Sequence, residues 1–161
     1  KEHVLVGMGT SDCDEKELVV VRKGSTPAFP GQRGFVGGSM GDDSVILKGA
    51  DDVTDMDSIN MKQNAMYSTV HGAGRVMSRV KARGKWKKGV FQPGEVNQVM
   101  MDEWLKKRGV IRRGGDLDES PHAYKRLDEV LVEQGNTIEV LEILHPLIVC
   151  MAPPKRKGKY R

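Results

Sequence analysis

Nineteen glycines cut this 161-residue chain into short apolar pieces, and that spacing limits what it can fold into. Leu18–Val21 and Val45–Leu47 are compact, largely β-branched runs that suit buried strands. Between them, five glycines fall within Pro30–Gly41, which reads as a folded loop. Gly72 and Gly74 frame a second tight passage, and Gly84, Gly89, Pro93 and Gly94 mark 84–95 as a connector. No apolar run approaches the roughly 18–20 residues needed to span a bilayer, which argues against a membrane role. No regular βαβ alternation and no repeat period is visible. The expected class is α+β, with mixed or antiparallel sheets and packed helices.

The remaining elements follow from periodicity. His3–Val6 reads as a first strand, and 51–62 as polar and irregular, with a short helix beginning near Asn64. A helix is expected from Arg75 to about Ala82, because Val76 and Val80 share one side at a spacing of four, as do Arg75 and Arg79. A clearer helix covers Val96–Lys107, with Val96, Val99, Met100, Trp104 and Leu105 as its apolar face and Gly109 as its stop. Val110 and Ile111 suit a short strand, and Pro121 to about Glu133 suits a helix that packs Leu127, Val130 and Leu131. Ile138–Cys150, broken by Pro146, reads as a strand or bent strand pair. The length suits one hydrophobic core. The expected division is 1–152 as the folded portion and 153–161 as a basic tail. The opening residues look like the middle of a protein, as in an excised domain.

Composition narrows the class further. With 38% hydrophobic and 30% charged residues, the chain falls among globular sequences. Cys13 and Cys150 give neither a disulfide framework nor a paired metal motif, which favours an intracellular, cytoplasmic setting. The net charge of +4 permits attraction to a polyanion without naming one. Much of the excess lies in Lys81-Ala82-Arg83-Gly84-Lys85-Trp86-Lys87-Lys88 and in 155–161. A solubilising surface has the same composition.

Chemistry concentrates in Tyr67–Arg79. The imidazole of His71 can act as nucleophile, base or metal ligand. Gly72, Ala73 and Gly74 let a ligand approach the backbone and leave amides free to face phosphate oxygens. Arg75 offers a forked set of donors, and Arg79 can join it or support the loop from behind. A second loop, Gly37–Ser44, is neither a P-loop nor a dinucleotide fingerprint, yet Ser39 and Ser44 could grip a nucleotide. An ordinary turn histidine and an ordinary Gly/Ser surface loop look the same at this level. His3, His71, His122 and His145 show no metal-ligand spacing, and no metal-binding residue is assigned. Asp42-Asp43 could take a hard cation, although exposed turn acids are commoner.

Taken together, the blocks resemble one family. Arg22-Lys23-Gly24-Ser25-Thr26-Pro27-Ala28, then Gly38-Ser39-Met40-Gly41 with Ser44, then His71-Gly72-Ala73-Gly74-Arg75 with Ser78-Arg79 are similar to RtcB RNA-ligase motifs. Pro121-x-Ala123-Tyr124-Lys125, Asp128-Glu129-Val130 and Val149-Cys150 follow in the family's order. The resemblance implies an RtcB-like fold, present here as part of a larger catalytic domain. It also implies a GTP- and manganese-dependent RNA ligase joining 3′-phosphate or 2′,3′-cyclic phosphate ends to 5′-hydroxyl ends. His71 would carry GMP. Ser39, Ser44, Gly72, Ala73, Gly74, Arg75 and Tyr124 would line the guanylate pocket, with Tyr124 stacking near guanine and Lys23 near phosphate. The principal Mn2+ ligands would lie in an upstream region of the parent protein, and Cys13 does not match the family's ligand cysteine. Lys155 is the candidate for the family's terminal nucleotide lysine. Expected partners are RNA, GTP, that N-terminal region and an activating protein, in tRNA splicing or RNA repair. A noncatalytic RNA- or nucleotide-binding module, or a structural fragment of a parent ligase, is the alternative.

Overall fold

The structure, a computed structural model, describes residues 2–7 and 15–152, with side chains from Val19 onward. Cys13, Lys155 and the basic tail 153–161 lie outside the described residues. The fold is α+β, as the glycine spacing predicts, and the chain forms two compact units. Among the described residues no helix is long and apolar enough to cross a membrane.

The first unit comprises 1–37, 44–72 and 128–144. Its main sheet has β5 (Ser44–Gly49) at the centre, with β4 (Arg33–Val36) and β10 (Ile138–Leu144) antiparallel on either side. Alternation along β5 buries Val45, Leu47 and Gly49, so one face of the strand carries the core. Leu47 and Val36 are fully enclosed. β1 (Glu2–Gly7) and β2 (Glu15–Val20) form an antiparallel pair, as do β3 (Ser25–Pro27) and β6 (Ser68–Val70). Two readings are corrected here. The polar stretch 51–62 contains helix α1 (Met56–Asn64), which ends where a helix was expected to begin. It is started by Asp55, whose carboxylate accepts from the Ser58 amide at 2.8 Å. The glycine-rich 30–41 loop contains strand β4.

The second unit comprises 38–43, 73–127 and 145–161. Helix α2 is only Arg79–Arg83, so Arg75 does not open it. Ser78 caps it by accepting from the Lys81 amide, and Val76 and Val80 are both substantially exposed. The 84–95 connector holds an antiparallel hairpin, β7 (Lys85–Lys87) and β8 (Val90–Gln92). Helix α3 (Gln98–Lys107) begins at its cap Asn97 and buries Met101 and Leu105, whereas Val99 faces solvent. Met40, Met101, Leu105 and Val110 make one apolar cluster, and Ala82, Val96 and Ala123 another. β9 (Ile111–Arg113) and β11 (Ile148–Cys150) pair in parallel. The expected helix from Pro121 is instead a 3₁₀ turn (Pro121–Ala123), an extended Tyr124, and then α4 (Leu127–Val132), where the chain re-enters the first unit.

Candidate active site

The approach to His71 is held by contacts that the sequence did not announce. Met66 and Tyr67 both adopt left-handed backbone, with φ of 52° and 51°, a conformation that costs a residue with a side chain about 1 kcal/mol or more. Arg22 supports this turn by donating from Nη2 to the Met66 carbonyl and from Nε to Ser68 Oγ, both at 2.9 Å. Its guanidinium also lies 5.5 Å from the Phe29 ring centre, and Phe29 stacks on Tyr67 at 5.1 Å. The turn feeds β6, whose register against β3 sets Ser25 opposite Val70. Through Ser25–Pro27 the 22–28 block thus pairs with Ser68–Val70, the strand that leads directly into His71. His71 leaves the end of that strand exposed to solvent. Gly72 then bridges to Gly37 in parallel, and a Cβ at Gly72 would come within 3.2 Å of the Gly37 carbonyl oxygen. Lys23 is exposed, and Ser44 begins β5 in this same unit.

The second unit carries Ser39, Ala73, Gly74, Arg75 and Tyr124. Gly38 closes its loop tightly, because a Cβ there would fall 2.0 Å from the Asp43 carbonyl oxygen. The Asp42 amide donates to the Ser39 carbonyl at 2.9 Å, while Met40 anchors the loop in the apolar cluster. The Ser39 hydroxyl is buried and, among the described residues, has no hydrogen-bond partner. Asp42 and Asp43, read as exposed turn acids or cation ligands, are engaged by basic side chains. Arg126 Nη1 lies 3.5 Å from Asp42, and Asp43 takes both Arg108 and His145, the latter at 2.8 Å.

Beyond Gly72 the chain enters a bridge between Arg75 and Tyr124. Gly74, at φ +76°, allows that turn, and its carbonyl accepts from the Lys125 amide at 2.9 Å. Arg75 donates from Nη1 to the Tyr124 hydroxyl at 2.8 Å and from Nε to the Met77 carbonyl at 3.1 Å. Its Nη2 is buried and, among the described residues, has no hydrogen-bond partner. The Tyr124 hydroxyl donates in turn to Glu119 at 2.6 Å. Burial pushes the phenol up, and the Glu119 carboxylate adds to this against the opposing pull of Arg75. Arg79 binds Asp118 at 2.7 Å and also Glu119, contacts that raise its pKa. Of the two roles open to Arg79, the ion pairs favour support from behind. Glu119 and the nearly enclosed Asp118 were missed from sequence, although their place before Pro121-x-Ala-Tyr was available as a signal.

A family model described as tRNA-splicing ligase RtcB matches residues 2–152. The chain belongs to the RtcB family. The RNA-splicing ligase RtcB of Escherichia coli K12 is 35% identical over 136 residues, which cover 84% of this chain and 28% of that protein. The tRNA-splicing ligase RtcB of Nanoarchaeum equitans is 34% identical over 139 residues, covering 76% and 25% respectively. For the RNA-splicing ligase RtcB of Mycobacterium tuberculosis the match is 33% over 137 residues, covering 74% and 27%. The chain thus spans about a quarter of the length of these RtcB relatives. Among its described residues, no three His, Cys, Asp or Glu side chains gather so as to hold a metal ion.

Proposed function

We propose that this chain supplies the guanylate-carrying part of an RNA ligase. The observation that carries the proposal is the exposed His71, fixed at the end of β6 and followed directly by the Gly72–Arg75 turn. A neutral imidazole nitrogen has a lone pair that can attack the α-phosphorus of GTP, forming a P–N bond as the bond to pyrophosphate breaks. Protonation of the imidazole later makes it a leaving group, so the guanylate can pass to an RNA 3′-phosphate oxygen. The RNA 5′-hydroxyl oxygen then attacks that activated phosphorus, GMP departs, and a 3′,5′-phosphodiester remains. A 2′,3′-cyclic end would first be opened to the 3′-phosphate.

The side chains divide this work. Arg75, oriented by Tyr124 and Met77, would meet a phosphate oxygen through its guanidinium. Ser39, Ser44 and the Gly72–Gly74 backbone would hold the nucleotide, and Tyr124 would flank guanine while its hydroxyl fixes Arg75. Mn2+ would add charge neutralisation at phosphate, with its ligands drawn from the parent protein's remaining length. RNA, GTP and an activating protein are the partners this reading carries.

The test uses an enzyme in which this chain is joined to the rest of an RtcB protein. Incubation with α-labelled GTP and manganese should leave an acid-labile, base-stable label on the polypeptide, and His71→Ala should abolish it. The exposed position also predicts a stability change of no more than about 0.5 kcal/mol for that variant. Label persisting at the same yield in His71→Ala would remove His71 as the nucleophile.

A further inference from the structure

The β7–β8 hairpin is built at its root and bare at its blade. At the root, the Glu95 and Val96 amides donate to the Lys81 and Ala82 carbonyls at 2.9 and 3.0 Å. Gly84 and Gly94 permit this closeness, because a Cβ on Gly94 would lie 2.2 Å from the Ala82 carbonyl oxygen. Ala82 and Val96 are buried there in the cluster against which Tyr124 packs. Beyond the root, every residue from Lys85 to Pro93 is exposed. A two-stranded hairpin with neither face packed is marginal in water. This one nevertheless displays Trp86 directly opposite Phe91, with ring centres 5.5 Å apart and exposures of 60% and 46%.

Charge says what kind of partner fits. Lys85 and Lys87 alternate with Trp86, and Lys88, at φ 50°, forms the tip with Gly89. Among the described residues, none of these three lysines has an acidic partner, whereas Lys81 pairs with Glu95 and Arg83 approaches Asp116 and Asp118. An open groove of about 390 Å³ runs along the root, with Lys81, Lys85 and Gln92 among its lining. Aromatic faces interleaved with unpaired cations match a single nucleic-acid strand, whose bases stack on rings while its phosphates meet ammonium groups. A lipid surface fits less well, because the element that would enter it first is the charged Lys88–Gly89 tip.

We infer that the β7–β8 hairpin is a binding surface for single-stranded RNA, with a base stacking on the Trp86–Phe91 pair and Lys85, Lys87 and Lys88 neutralising phosphates. The choice of RNA over DNA rests on the ligase reading; the strand-binding surface does not. It would add affinity for a substrate strand that no guanylate contact supplies.

The probe is a fluorescein-labelled oligouridylate, followed by anisotropy across a salt series with the protein and its variants. Trp86→Ala should weaken binding about 5- to 100-fold, and Trp86→Phe should recover most of that loss. Replacing Lys85, Lys87 and Lys88 with Gln should flatten the log K against log salt slope by about 2, near 0.7 per lost phosphate contact on a single strand. An RNA duplex of equal length should be nearly indifferent to Trp86→Ala. Unchanged affinity in all variants would overturn the proposal, as would a loss confined to the lysine variant, which would mean diffuse attraction only. Binding of anionic phosphatidylserine vesicles with the same Trp86 dependence, and no such dependence for RNA, would also overturn it. The histidine label needs no RNA, so hairpin variants of the joined enzyme should keep it. Hairpin variants that keep both the label and the parent's full RNA affinity sink this inference alone, and a parent enzyme that binds RNA with the Trp86 dependence but takes no label sinks the ligase reading alone.

Discussion

His122 lies with its ring edge toward Trp104, 6.2 Å between centres, while Arg126 sits over the Trp104 face at 3.5 Å. Burial, and after it the Arg126 charge, lower the imidazole from its ordinary value of 6.5. Folding therefore favours the neutral ring, whereas the unfolded chain takes up a proton as pH falls below about 6.5. The sign follows: this contribution is complete above that pH and is lost as pH falls through the lowered folded value. Urea midpoints should drop between pH of about 7.5 and about 5.5, and His122→Gln should reduce the drop. An equal drop in the variant would show that the ring does not report the buried cluster. Sequence had singled out His71 and Arg75 because reactive and anion-binding types crowd into one segment there. It assigned no role to the side chains of His122 and Arg22, because Arg22 finds its partner 44 residues away and His122 is shaped by enclosure among neighbours. Spacing along a chain carries neither.

At the scale of elements, what was legible followed burial. Val45–Leu47 announced β5 because a buried strand needs apolar, β-branched residues. Helix α1 was hidden because its buried residues are Ser58 and Lys62, which leave no apolar stripe for a period to show. The β7–β8 hairpin was hidden for two reasons: it buries nothing, and its turn places a lysine where Asn or Asp before Gly is usual. The spacing of Val76 and Val80 misled, since neither side chain is buried. Gly49 tests how far β5 depends on close approach rather than apolar content. A Cβ there would stand 2.2 Å from the Phe29 carbonyl oxygen and 2.4 Å from that of Ala28. Its own carbonyl and amide pair with Gly31 and Gln32, so the 28–32 segment cannot withdraw without losing both bonds. Gly49→Ala should cost about 1–3 kcal/mol or more, read as a lowered urea midpoint. A midpoint within about 0.5 kcal/mol of the parent would mean that this segment yields readily.

Across the whole chain, the family's motif blocks are shared between two units. The 22–28 block, Ser44, His71 and Gly72 belong to the first, and Ser39, Ala73–Arg75 and Tyr124 to the second. Each unit fixes its share by local means: a braced turn and a short sheet in one, a closed glycine loop and an ion-pair relay in the other. What is held in this way is an imidazole, hydroxyls and guanidinium donors. Sealing two RNA ends also requires charge on the transferring phosphoryl group to be neutralised, and divalent metal does this in the proposed chemistry. Because no set of metal ligands gathers among the described residues, chemistry by the 161-residue chain should stop before turnover. Supplied with manganese, GTP and RNA bearing 3′-phosphate and 5′-hydroxyl ends, it should give no multiple-turnover ligation on a denaturing gel. The same sequence joined to the rest of an RtcB protein should give it. Several equivalents of sealed RNA per chain, without the added length, would show that these residues assemble their own metal site and that the division of labour drawn here is wrong.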